Sequence, residues 1–227
     1  MRSFIIIVFI ASFCVILGLW SPWVGASIDL NTLFGVEQKK EISSLYVSSL
    51  SGELEVFIDG ENVGVVDTET SPLIIDSVSA GEHLVSLRRK NLTNEYWRLN
   101  KLITFAPDTA VVIAYNLGPN EKFSEGNIIY AVEKDLEDER TELTVRLNVE
   151  DAFVSLDDIP MQSINATTFK EYISLNQQHT MSVSKIGYET FTFTILPESQ
   201  EDRDKLKKYN ILVEVQLLQQ PIILEEI

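Results

Sequence analysis

The sequence predicts an all-β chain: two small antiparallel β-sandwich domains behind an N-terminal transmembrane helix. Three observations predict it. An uncharged apolar run opens the chain, the remainder alternates apolar with polar residues between turn signals, and that alternating plan recurs. The 227 residues are 45 % apolar, enough to build packed cores rather than a disordered chain. In order, the expected organisation is a transmembrane anchor at 1–26, a stalk at 27–44, a first sandwich at 45–132, an acidic linker at 133–142 and a second sandwich at 143–227.

After Arg2 no charge occurs until Asp29, and Phe4 to Trp23 is apolar apart from Ser12, Gly18, Ser21 and Pro22. A helix of that length rises about 30 Å, the thickness of the hydrocarbon layer, so residues 4–23 are expected to cross a membrane. Trp20 and Trp23 fall where an interfacial aromatic anchor sits, and Arg2 stays inside, which places everything after residue 28 outside the cytoplasm. The alternative is a secretory signal cleaved after Ala26, since Val24-Gly25-Ala26 offers small residues ahead of Ser27. Both readings export the rest. The single cysteine, Cys14, lies in this run, so the exported part contains no disulfide and must be held by packed cores.

Residues 31–44 have no strong period and read as the stalk. From Leu45 the pattern alternates: Leu54, Val56 and Ile58 face one way, Glu55, Phe57 and Asp59 the other, and Asp59-Gly60 supplies a hairpin turn. Further strands are expected at Leu73–Ile75, His83–Arg88, Trp97–Phe105 and Ala110–Asn116, with Ala80-Gly81 among the breaks. Leu45-Tyr46-Val47 superimposes on Leu143-Thr144-Val145, and Val56 to Asp59 on Val154 to Asp157, while His83 to Leu87 matches His179 to Val183. Both histidines of the chain thus fall at corresponding points, and a duplicated small domain explains the repeat better than a solenoid. The second unit adds strands at Tyr172–Leu175, Met181–Lys185, Phe191–Ile195 and Ile211–Leu218, with a helical turn or two between Pro197 and Tyr209. Val56, Ile58, Val85 and Leu87 are expected in one core, Val154, Leu156, Met181 and Val183 in the other.

Leu54 to Gly60, Val63-Gly64, Ser71-Pro72 and Ser79-Ala-Gly-Glu-His83-Leu-Val-Ser-Leu87 resemble the PEGA domain, a small β-sandwich. The second unit resembles a divergent copy: Asp158 stands where the first has Gly60, the Ser-Pro step is replaced by Ala166 to Phe169, and Gly187-Tyr188 matches the family's Gly-Tyr. The resemblance implies an interaction or structural module on a bacterial or archaeal surface, often behind a membrane anchor, without catalytic activity of its own.

Candidate chemistry is sparse. Asp59 and Asp157 are hairpin residues that tolerate left-handed backbone and bond nearby N–H groups, so a turn role outweighs cation binding. His83 and His179 each begin a strand with no second ligand beside them, and Gly60, Gly81 and Gly187 are turn positions. The linker carboxylates lack the spacing of a calcium loop, which favours a solvated hinge. Tyr96 and Trp97 are the candidate ligand contacts, against the alternative that they divide between core and surface. No nucleophile elbow or phosphate-cradling glycine loop occurs, and neither an enzyme nor a cofactor is expected. With 34 acidic against 18 basic side chains, a net charge of −16, nucleic acid is not an expected partner. The expected partners are the membrane, through residues 4–23, and a protein or cell-wall component. A glycan- or cation-binding surface is the second reading and an envelope hydrolase the third.

Overall fold

The computed structural model describes residues 41–90, 96–134 and 140–220. The expected anchor, most of the stalk and the middle of the acidic linker lie outside them. Among the described residues no helix is long and apolar enough to cross a membrane.

Strand β1 (Ile42–Ser49) begins inside the span read as stalk. Ser43 is the reason: it is buried, and its hydroxyl donates to the Thr109 carbonyl at 2.8 Å. Then follow β2 (Leu54–Ile58), β3 (Glu61–Val66), β4 (Leu73–Ser79), β5 (Gly81–Arg89), β6 (Leu99–Phe105), β7 (Ala110–Asn116) and β8 (Glu125–Glu133). The second half supplies β9 (Thr141–Leu147), β10 (Phe153–Leu156), β11 (Ile159–Pro160), β12 (Gln162–Asn165), β13 (Thr168–Ile173), β14 (His179–Ser184) and β15 (Phe191–Ile195). Helix α1 (Gln200–Lys205), a 3₁₀ turn at Leu206–Lys208 and β16 (Tyr209–Gln216) complete it. The all-β expectation holds. Trp97 lies ahead of β6 rather than on it, and the strand expected at Tyr172–Leu175 runs instead from Thr168 to Ile173.

The strands form three sheets, one of eight strands in the order β12-β13-β9-β16-β8-β7-β1-β4 and two of four, β3-β2-β5-β6 and β11-β10-β14-β15. The two halves share one pairing plan. In each half the first strand pairs antiparallel with one strand of its own half (β1 with β4, β9 with β13) and parallel with the last strand of its repeat (β1 with β7, β9 with β16). The expected purely antiparallel pairing is corrected here. The chain leaves the large sheet after its first strand for two strands of the small sheet, returns antiparallel beside that first strand, goes back to complete the small sheet, and re-enters on the other side running in the original direction, the crossover that parallel neighbours require.

Strand β8, absent from the expected elements, joins the halves. It pairs antiparallel with β7 on one side and with β16 on the other, from Tyr209 opposite Glu133 to Gln216 opposite Gly126. Successive side chains of a strand point to opposite faces. Ile128 and Tyr130 accordingly enter the core containing Leu45, Val56, Leu87 and Ile113, whereas Ile129 packs against the core containing Leu143, Val154, Met181 and Val213. The two small sheets therefore cover opposite faces of the shared sheet. Each core borrows across the junction: Leu212 of β16 belongs to the first, Ile129 of β8 touches the second. Glu214 of β16 also pairs with Lys101 of β6 and accepts a hydrogen bond from the Tyr130 hydroxyl at 3.2 Å. The side chains expected in the cores are buried, except that Ile58, at the end of β2, is half-buried against the first core.

Both β2–β3 and β10–β11 turn through two residues with positive φ, Asp59 (51°) and Gly60 (85°) in one, Asp157 (50°) and Asp158 (65°) in the other. Such turns match the twist of the flanking strands and favour glycine at the second position. Asp158→Gly is expected to raise stability by about 0.5 kcal/mol in denaturant titration, and a lower midpoint would contradict this account of the turn. The shared sheet predicts a second outcome. In a chain beginning at Glu41, Trp97 is the sole tryptophan and packs against the first core. Leu143→Ala, a wholly buried change in the second core, should lower stability by about 2–5 kcal/mol, and Trp97 fluorescence should report that loss as fully as circular dichroism does. Two separated transitions would show independent halves.

Candidate functional site

The paired histidines occupy the same arrangement twice. The Asp59 N–H donates to the Leu84 carbonyl at 2.9 Å, and Asp59 Oδ1 accepts from the Leu84 N–H at 2.9 Å. Oδ2 of the same carboxylate lies 2.6 Å from His83 Nδ1. In the second half Asp157 exchanges bonds with Thr180 at 2.8 and 2.9 Å, and its Oδ2 lies 2.6 Å from His179 Nδ1. The opposite ring nitrogens face backbone carbonyls, His83 Nε2 at 2.9 Å from Ser79 and His179 Nε2 at 2.8 Å from Ser174. Each clamp ties a hairpin to the start of the strand beside it.

The Ser79 hydroxyl lies 3.1 Å from His83 Nε2, so Ser79, His83 and Asp59 have the connectivity of a serine triad. The hydrogen bonds argue against that use. A general base needs a free lone pair on the nitrogen facing the hydroxyl, and His83 Nε2 also faces the Ser79 carbonyl, which can only accept, at 2.9 Å. The second copy keeps the carboxylate and the carbonyl around His179, while the Ser174 hydroxyl accepts instead from the Asn176 N–H. What is duplicated is the clamp.

The other sequence candidates lie apart from it. Trp97 is half-buried against the first core with its ring 6.4 Å from that of Tyr115, and its backbone N–H donates to the Gly118 carbonyl. Tyr96, beside it, is exposed. Gly81 opens β5, and Gly187 lies in the turn after β14, with φ of 128° and 83°. At the ends of the acidic linker Glu133 closes β8, and Glu142 in β9 accepts from Lys170 Nζ at 2.7 Å. Among the described residues no group of three or more His, Cys, Asp or Glu side chains is placed to hold a metal ion.

A groove of about 880 Å³ lies where the first half of the shared sheet meets the second half's overhang. Its floor is the face of β1, β7 and β8 turned away from the first core, including Tyr46, Val112 and Ile129. Leu196, Pro197 and Leu206 form a wall from the segment linking β15 to β16. That wall is fixed by Arg203, a buried guanidinium that donates to the carbonyls of Leu175 at 3.1 Å, Pro197 at 2.7 Å and Glu198 at 2.5 Å. Asp76, Asp108, Glu198 and Asp202 stand at the rim with Lys205, whose Nζ is 2.7 Å from Asp202 Oδ1. The rim therefore carries more carboxylates than cations. Sequence reasoning passed over this site. Its signal was the apolar residue on both faces of neighbouring strands, Leu45-Tyr46-Val47 and Val111-Val112-Ile113, where one buried face would require alternation.

Hydrogen bonds from His83 and Leu84 hold the Asp59 carboxyl below its ordinary range, and His179 and Thr180 do the same for Asp157. A carboxyl whose folded pKa is depressed contributes stability above the unfolded pKa and loses it as pH falls through the folded value. The double variant Asp59→Asn, Asp157→Asn should be less stable at neutral pH and should show a shallower decline of stability below about pH 4, measured by urea titration at stepped pH. Parallel curves for the two chains would remove the clamps from the acid response.

No family model and no curated protein matches this chain. Among solved structures, one described as "The Bacillus anthracis TIE protein" aligns at 13 % identity and a TM-score of 0.26, over 79 % of this chain. The chain spans about a third, 34 %, of that protein's length.

Proposed function

We propose that this chain is a non-enzymatic protein anchored in the cell membrane by residues 4–23, displaying two fused PEGA-like modules outside the cytoplasm for contact with a protein or another envelope component. The observation that carries the reading is the groove: a sizeable apolar floor with a charged rim suits binding, and its walls come from both halves of the duplication. The clamps agree with it. The two histidines, the side chains best suited to proton transfer near neutrality, are engaged in pinning hairpins. The paired sandwiches, their PEGA character and the anchor come from the sequence pattern, and the export side follows from the position of Arg2 and the tryptophans.

Protease added outside cells whose outer layers have been opened should degrade the region after residue 41, detected with an antibody to β14–β16. Cross-linking in intact cells should attach the chain to a protein or wall polymer. A protected region would overturn the topology, and a chain that cross-links to nothing would overturn the interaction role.

A further inference from the structure

We propose that the groove behind the first half of the shared sheet docks a basic peptide segment of a partner protein, apolar side chains on its floor and Lys or Arg at its rim. This rests on the interaction reading above and supplies the chemistry of the partner.

The molecule contains its own comparison. The pairing places Tyr46, Ile74, Ala110, Val112 and Ala114 on the back of the first half where the second half has Thr144, Lys170, Asn210, Leu212 and Glu214. In the second half this back is satisfied internally: Lys170 pairs with Glu142, Glu214 pairs with Lys101 of β6, and Leu212 is buried in the first core. In the first half the same positions are occupied by uncharged side chains, and Ile74 and neighbouring Ile42 are exposed. The two halves thus differ at this face, which carries paired charges in one and uncharged side chains at the matching positions in the other. An apolar surface bordered by polar residues is the form of a docking site.

The charge at its edge selects the occupant. Asp76 projects from β4, Asp108 from the turn before β7, and Glu198 and Asp202 from the opposite wall, with Lys205 already paired to Asp202. Carboxylates on both sides of an apolar floor complement a segment whose cationic side chains bracket an apolar anchor. An anionic segment would meet repulsion from both walls. The surrounding surface reinforces this, since the chain carries a net charge of −16.

The test pans a phage-displayed random peptide library on the full-length chain in mild detergent, alongside the charge-reversed variant Asp76→Lys, Glu198→Lys and the milder Asp76→Asn, Glu198→Gln. Unchanged melting temperatures establish that both variants are folded. Enriched peptides should carry Lys or Arg around an aromatic or aliphatic residue. They should bind the reversed variant about tenfold or more weakly, with an intermediate loss in the milder one, and should weaken as salt is raised toward about 0.5 M. Neutral or acidic enriched sequences, equal binding to the reversed variant, or no enrichment would overturn the proposal. Self-association of the full-length chain that the reversal abolishes would assign the groove to a second copy and equally overturn it. The cellular cross-link separates this from the broader reading: a partner retained by the reversed variant removes the groove from the contact while leaving the interaction role intact.

Discussion

The ladder between β8 and β16 is the contact on which the rest of the molecule depends. Each half brings a four-stranded sheet and a share of the larger one, and the large sheet is continuous only because these two strands pair along their whole length. A strand inside a sheet with both faces covered sends alternate side chains into different cores. Here Ile128 and Tyr130 serve one and Ile129 faces the other, so loosening this ladder disturbs both cores together. Burial on both faces also places the small sheets on opposite sides. That is what leaves part of each half of the large sheet bare behind its own core.

What the sequence made legible follows from which faces are buried. Strands with one face on a core alternate, and β2, β5, β10 and β14 were readable for that reason, as was the hairpin between β2 and β3 from Asp59-Gly60. Strand β8 was not: Ile128-Ile129-Tyr130-Ala131 is apolar at every position, and without period two it carries no direction. Parallel pairing was also hidden, since it is decided by the route of the chain through a second sheet rather than by composition. The same blindness hid the groove, because Tyr46 and Val112 read as surplus apolar residues on strands whose other face is core.

The clamp shows how a candidate site can be legible as residues and illegible as chemistry. Placing His83 and His179 at matching positions required only alignment of the chain with itself. Deciding their role required the direction of each hydrogen bond. A carboxylate on one nitrogen and a carbonyl on the other engage the ring from both sides. The Ser79 hydroxyl reaches His83 Nε2 because Ser79 ends β4 just before β5, the strand that carries the histidine.

The two halves, alike in pairing, differ at the back of the large sheet. The back of each half of the large sheet faces the other half's side of the molecule, as Leu212 in the first core and Ile129 against the second show. One back is closed by ion pairs that reach between elements, Lys101 to Glu214 and Lys170 to Glu142. Ion pairs at or near the surface contribute little to stability, so they satisfy the charges of that face more than they hold it together. The other back carries uncharged side chains and faces a wall held by Arg203, whose guanidinium donates to backbone carbonyls and to Gln200 Oε1 rather than to a rim carboxylate. A stable scaffold and an exposed apolar surface ordinarily conflict, since such surface favours aggregation. Confining it to a groove whose rim is mostly carboxylate eases the conflict, because two like-charged grooves repel each other.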